Sequence, residues 1–98
     1  MHAVIGRVKL KPGREDEQRE MIAKYGIPAL QGMAGWSSGY WSRSLNDGDL
    51  IQHSFWLFDT EEHARSAAAN FNILRDMPED EAPATFLSVD VSEVVGQG

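Results

Sequence analysis

The sequence predicts an α+β fold in which a four-stranded antiparallel sheet carries both of its helices on one face. Three observations lead there. Four stretches have the β-branched and aromatic content or two-residue alternation of strands, and two have the 3.6-residue apolar periodicity of helices. They run in the order βαββαβ. The chain has 98 residues, 42% of them hydrophobic, which is enough for one core, so a single domain over residues 1–98 is expected.

Residues 3–10 (AVIGRVKL) mix β-branched side chains with polar breaks at Arg7 and Lys9, the pattern of a half-buried strand, and Lys11-Pro12-Gly13 stops it. Glu15, Asp16, Glu17 and Glu20 then suit the start of a helix, where the dipole favours negative charge. Met21, Ile22, Tyr25 and Leu30 give that helix an apolar stripe. Gly26 and Pro28 should bend or interrupt it, and Gly32 and Gly35 should end the connection to the second strand, residues 36–44 (WSSGYWSRS). Residues 50–58 (LIQHSFWLF) form the third strand, and Asn46-Asp47-Gly48-Asp49 between the two is a hairpin signal. Asp59 or Thr60 can cap a second helix, and Asp59 with Glu62 has capping-box spacing. Ala64, Ala67, Ala68, Phe71 and Leu74 share one face of that helix. After a loop containing Pro78, Glu79, Asp80, Glu81 and Pro83, residues 85–95 close the chain as a strand. Leu87, Val89 and Val91 are expected on one side of it and Phe86, Ser88 and Asp90 on the other.

This order is the ferredoxin-like split βαβ plan. Two helices cover one sheet face only. Ile51, Phe55 and Leu57 nevertheless alternate with Leu50, Trp56 and Phe58, so the second face also needs burial. A homodimer packed sheet to sheet answers that need.

Charge and composition exclude several functions. The net charge is −6, and its distribution is uneven: residues 1–49 carry +1 and residues 50–98 carry −7. Without Lys or Arg clusters, the counterion release that drives nucleic-acid binding is missing, so no nucleic-acid partner is expected. The absence of cysteine rules out disulfides, thiolate metal sites and thiol catalysis. No apolar run approaches the roughly 18 residues of a membrane span, and MHAVIGRVKLKPG lacks a signal-peptide layout. A cytoplasmic protein with no membrane partner is expected. The three histidines, His2, His53 and His63, have no metal-ligand spacing, and Glu62-His63 is not an HExxH site, so no metal is expected. The strand-two serines lack a GxSxG setting, and Gly32, Gly35 and Gly39 do not form a phosphate loop.

Three features together resemble the antibiotic biosynthesis monooxygenase family of dimeric α+β barrels. These are VKLKPG leading into an acidic helix, Gly35-Trp36 opening strand two, and Trp56-Leu57-Phe58-Asp59-Thr60-Glu61-Glu62-His63-Ala64 running from strand end into capped helix. The resemblance implies a ligand held between the sheet and its own helices, with the opposite sheet faces forming the dimer barrel. It also implies that even-numbered strand residues face the helices: Val4, Gly6 and Val8, then Trp36, Ser38, Tyr40 and Ser42, then Gln52, Ser54, Trp56 and Phe58. Ile5, Trp41, His53 and Phe55 would lie in the barrel. That parity requires a three-residue loop, Asn46-Asp47-Gly48, placing Tyr40 opposite Ser54 and Trp41 opposite His53.

Gly6 and the face of Ala64, Ala67 and Ala68 then leave space above the sheet, walled by Trp36, Tyr40, Trp56, Phe58 and Phe71, a slot for a planar aromatic ligand. The alternative is a filled core, in which the alanines bring the helix closer and the aromatics close the space. Candidate ligand-binding residues are Gly6, Trp36, Gln52, Trp56, Phe58, Ala67, Asn70 and Phe71. The family's cofactor-free oxygenases act on a phenolic anion through an Asn, a Trp and a Tyr, and the matching positions here are Ser54, Phe58 and Ala64. The candidate catalytic residues are therefore His63 as general base, with Tyr40 and Ser54 as hydrogen-bonding groups. No cofactor is expected. Residues 25–32 (YGIPALQG) resemble a haem-degrading branch, but its strand-one Asn, helical Trp and axial His fall at Gly6, Ala67 and about Met77, so haem turnover is not expected. Cofactor-free oxygenation of a small aromatic compound, or ligand binding without catalysis in a homodimer of the same fold, are the two functions left.

Overall fold

The computed structural model describes residues 1–46 and 50–98. Strands β1 (His2–Leu10), β2 (Trp36–Arg43), β3 (Ile51–Phe58) and β4 (Ala84–Glu93) form one sheet in the order β2-β3-β1-β4. Every neighbouring pair is antiparallel. Helical segments follow β1 and β3, giving the ferredoxin-like α+β arrangement. Among the described residues, no helix is long and apolar enough to cross a membrane.

The two central strands keep strict alternation. Val4 pairs with Trp56, Gly6 with Ser54 and Val8 with Gln52, so even residues of β1 and β3 point together toward the helices. All of them but the half-buried His2 are buried, with Val4 and Phe58 fully so.

Both edge strands break the alternation with a bulge. On β2, Trp36 lies opposite Phe58, the register then shifts, and Gly39, Trp41 and Arg43 lie opposite Trp56, Ser54 and Gln52. One extra residue resets which side chains face the core. Trp36 and Trp41 therefore both face the helices, whereas Tyr40 pairs with Phe55 on the open face and is 68% exposed. This corrects the expected pairing of Tyr40 with Ser54 and of Trp41 with His53. The three-residue loop invoked for that pairing includes Asp47 and Gly48, which lie outside the described residues. On β4, Val91 and Val89 oppose Val4 and Gly6, but after a shift Phe86 opposes Val8 and Ala84 opposes Leu10. The expected side for Leu87 is corrected likewise: it is the extra residue, 41% exposed, while Phe86 packs on the core.

The first helical stretch runs through α1 (Glu15–Met21), a π-helical turn (Ile22–Gly26) and α2 (Ile27–Gln31). Pro28 in the first turn of α2 has no N–H to give the preceding turn, and the backbone widens there, with the Ile27 N–H reaching back to the Ile22 carbonyl. Neither α1 nor the π turn buries a residue, and Leu30 alone is buried in α2. The second stretch is α3 (Glu61–Ala68) and α4 (Phe71–Asp76). Thr60 caps α3, its Oγ1 accepting from the His63 N–H at 3.1 Å, so the Asp59/Glu62 capping box does not form. The helix breaks near Asn70, whose Nδ2 donates to the Ala67 carbonyl at 2.9 Å. Ala64 and Ala67 are fully buried, which lets α3 lie close on the sheet.

Candidate functional site

The unburied first helical stretch leaves a cleft between itself and the sheet. The cleft has a volume of about 340 Å³. Its floor is the helix-facing row of β3, Gln52 (2% exposed), Ser54 (5%) and Trp56 (6%), with Trp41 alongside from β2. Met21, Ile22, Tyr25, Ala29 and Met33 form the wall on the first helical side, and Phe71, Leu74 and Met77 form the wall on the second. Asn70 bridges the two sides, its Nδ2 also reaching the Met33 Sδ at 3.5 Å. The polar lining side chains are Gln18, Tyr25, Trp41, Gln52, Ser54, Trp56 and Asn70, and among the described residues no Asp, Glu, Lys, Arg or His lines the cleft.

The floor is held by aromatic stacking and by one cation. Trp56 stacks on Phe71 with ring centroids 4.9 Å apart and tilts against Trp41 at 6.3 Å. The Trp56 Nε1–H is buried without a partner among the described residues. Arg43 stands at the edge: its Nε donates to the Gln52 Oε1 at 3.0 Å, and its Nη2 donates to the Glu15 carbonyl at 2.7 Å and to the Gln18 Oε1 at 3.3 Å. This guanidinium ties α1 to the sheet. A second tie is Arg14, whose Nη1 donates to the Ala82 carbonyl at 3.0 Å and holds the loop that brings Pro83 to the cleft.

Of the sequence-derived candidates, Gln52, Ser54, Trp56, Asn70 and Phe71 come together around the cleft. Gly6 does not open space there: a Cβ at Gly6 would run into the Phe71 ring, so the missing side chain is a socket that Phe71 fills. Trp36 and Phe58 pack edge to face at 5.7 Å away from the cleft, and Ala67 is sealed between α3 and the sheet. Tyr40 lies across the sheet from Ser54, so the two cannot act on one molecule. His63 is removed as a base for the cleft. Its Nδ1–H donates to the Asp59 Oδ1 at 2.6 Å at the start of α3, and this hydrogen bond holds the Asp59 carboxyl below its ordinary range, against a smaller opposing effect of desolvation. Both side chains crowd Gly35, whose φ of +81° and lack of Cβ the contact requires. Among the described residues, no group of three or more His, Cys, Asp or Glu is placed to hold a metal ion.

Sequence reasoning missed Trp41 and the lining methionines. Trp41 was hidden by the β2 bulge. The methionines had a signal: Met21 belongs to the apolar stripe of a helix that buries nothing before Leu30.

No family model and no curated protein matches this sequence. Solved structures do. MhuD, the heme-degrader of Mycobacterium tuberculosis, solved with two hemes in its active site, superposes at TM-score 0.74 with 16% identity, over 100% of this chain and 99% of that one. A candidate antibiotic biosynthesis monooxygenase from Bordetella bronchiseptica aligns at TM-score 0.70 with 16% identity, over 96% of each chain. A dimeric ferredoxin-like protein from an uncultured marine organism gives 0.66 with 12% identity, over 99% of this chain and 95% of that one. The fold is that of the antibiotic biosynthesis monooxygenase-like α+β proteins. The positions that the sequence resemblance matched to a Trp and a Tyr, Phe58 and Ala64, are both fully buried. Only Ser54, of the three matched positions, lines the cleft.

Proposed function

We propose that the protein binds one planar aromatic small molecule in this cleft, as a homodimer joined through the open sheet faces. The observation that carries the reading is the cleft itself: about 340 Å³, walled by aromatic rings and thioethers, with a short polar row on its floor and, among the described residues, no charged side chain in its lining. Flat apolar walls with a few placed polar groups suit a fused-ring ligand. The dimer is supported by Tyr40, Phe55 and Leu87, which leave apolar surface exposed on the face without helices.

Haem, the ligand of MhuD, does not fit the donors present. None of the three histidines lines the cleft, and neither does any cation that could pair with propionates. Met77 does line it, but a thioether serves haem iron beside a histidine.

A second reading, cofactor-free oxygenation, is favoured by the mostly apolar lining. In such a site an electron-rich phenolate reduces O₂ directly and water is kept out. With no carboxylate or imidazole in the lining among the described residues, the phenol would have to enter already ionised.

Titration with naphthalene, 2-naphthol and 1,4-naphthoquinone tests the first reading through the intrinsic fluorescence of Trp41 and Trp56. Saturable quenching is expected, and Ala29→Phe, which fills the cleft from its wall, should abolish it. Quenching by none of the three, or quenching indifferent to Ala29→Phe, places no ligand there. Oxygen uptake with naphthols and hydroquinones, rising with pH as the phenol ionises and absent with Ala29→Phe, is the result the second reading requires.

A further inference from the structure

Arg43 fixes which way the Gln52 amide points. The two residues are opposite each other on β2 and β3, on the helix-facing side, and the Arg43 Nε donates to the Gln52 Oε1 at 3.0 Å. The guanidinium is anchored from its other side by the Glu15 carbonyl and the Gln18 Oε1. It has donors and no acceptor, so the amide oxygen of Gln52 faces Arg43 and the NH₂ group faces away. Gln52 is 2% exposed and lines the cleft, and among the described residues its Nε2 has no protein partner. On the same face of β3, the Trp56 Nε1–H is buried and has no partner among the described residues, on a side chain 6% exposed that lines the same cleft. Leaving the buried Trp56 donor unsatisfied is costly and a ligand acceptor relieves it, and the Gln52 NH₂ stands beside it with its oxygen already taken by Arg43.

We propose that the cleft selects planar aromatic ligands bearing an acceptor oxygen, a quinone-type carbonyl or an ionised ring hydroxyl, through the Gln52 NH₂, with Arg43 as the positioning residue that sets this polarity. The inference rests on the cleft being the ligand site. The Arg43 charge polarises the amide it holds, which strengthens the outward N–H toward an electron-rich oxygen and disfavours a ligand donor. Of the polar groups on the floor, Gln52 is the one whose polarity a neighbouring cation sets.

The test is a comparison of affinities for naphthalene, 1,4-naphthoquinone and 1-naphthylamine, read by tryptophan quenching. Gln52→Glu keeps a partner for Arg43 and replaces the NH₂ with an acceptor, so the quinone-to-naphthalene preference should fall about tenfold relative to wild type. Gln52→Leu should lower the same ratio with no charge added. Arg43→Met frees the amide to rotate, and naphthylamine should gain on the quinone. That inversion of ligand order is not a consequence of mere destabilisation. Failure of naphthalene, 2-naphthol and 1,4-naphthoquinone alike to bind wild type removes the cleft reading and this proposal with it. If naphthalene binds and the quinone preference is the same in wild type, Gln52→Glu and Gln52→Leu, the cleft reading stands and the Gln52 proposal is overturned.

Discussion

At position 6, the absence of one methyl group decides how the core closes. A Cβ on Gly6 would overlap the Phe71 ring, and that ring is stacked on Trp56 and cannot simply move aside. Gly6→Ala should therefore cost about 1–3 kcal/mol by overpacking, measured as a shift in the urea midpoint. In Gly6→Ala/Phe71→Leu the two costs should be less than additive, because the smaller side chain vacates the socket. Asp59 gives a pH-dependent counterpart. Its folded carboxyl titrates below the unfolded value of about 3.9, chiefly through the His63 hydrogen bond, so the contribution is present above that value and is lost as pH falls through the folded one. Asp59→Asn should lower the urea midpoint at pH 7, and the gap to wild type should close in strong acid; a gap constant across that range would dissociate the pair from stability. Legibility at this scale divided by chemistry. Gln52, Ser54 and Trp56 were readable because alternation on a central strand is strict. Gly6 was visible as a special position, yet nothing in one sequence says whether a ligand or a ring from α4 fills the space.

Among the elements, the first helical stretch is the loosest attachment in the fold. Residues 15–26 bury no side chain, and Arg14 and Arg43 supply polar ties from either end of the cleft. Few buried contacts mean low local opening free energies. Backbone amides of residues 15–26 should exchange with solvent faster than those of β1 and β3, and saturation with 1,4-naphthoquinone should slow them selectively. Equal exchange in the free and saturated protein would show that the ligand does not engage this wall. The sequence pointed to an interruption at Gly26 and Pro28, and the π-helical turn is the form it takes. The bulges had no comparable sign. Ser37 and Leu87 are ordinary strand residues, and only pairing to β3 and β1 shows that they are the extra ones. Reading alternation straight through them sent Tyr40 to the cleft and Trp41 to the barrel, the reverse of what the pairing gives.

The whole molecule leaves one sheet face without helices, and its subunit count can be measured. Sedimentation at micromolar concentration should return twice the 10.9 kDa of one chain. Phe55→Arg, which places a charge in the middle of the open face, should return the single-chain mass. A wild-type mass of one chain would remove the dimer. The apolar pressure toward dimerisation is smaller than alternation suggested, since Trp41 turns out to serve the cleft. It still includes Tyr40, Phe55 and Leu87. The two bulges also bear on how copies of this chain avoid one another. β2 and β4 are the sheet's outer strands, and each is interrupted partway along. A strand from another molecule that pairs in register with the longer part of such an edge falls out of register beyond the bulge near the strand's start, so end-on growth of the sheet into a ribbon is cut short. The extra residue that turns Trp41 inward thus also guards the rim against polymerisation.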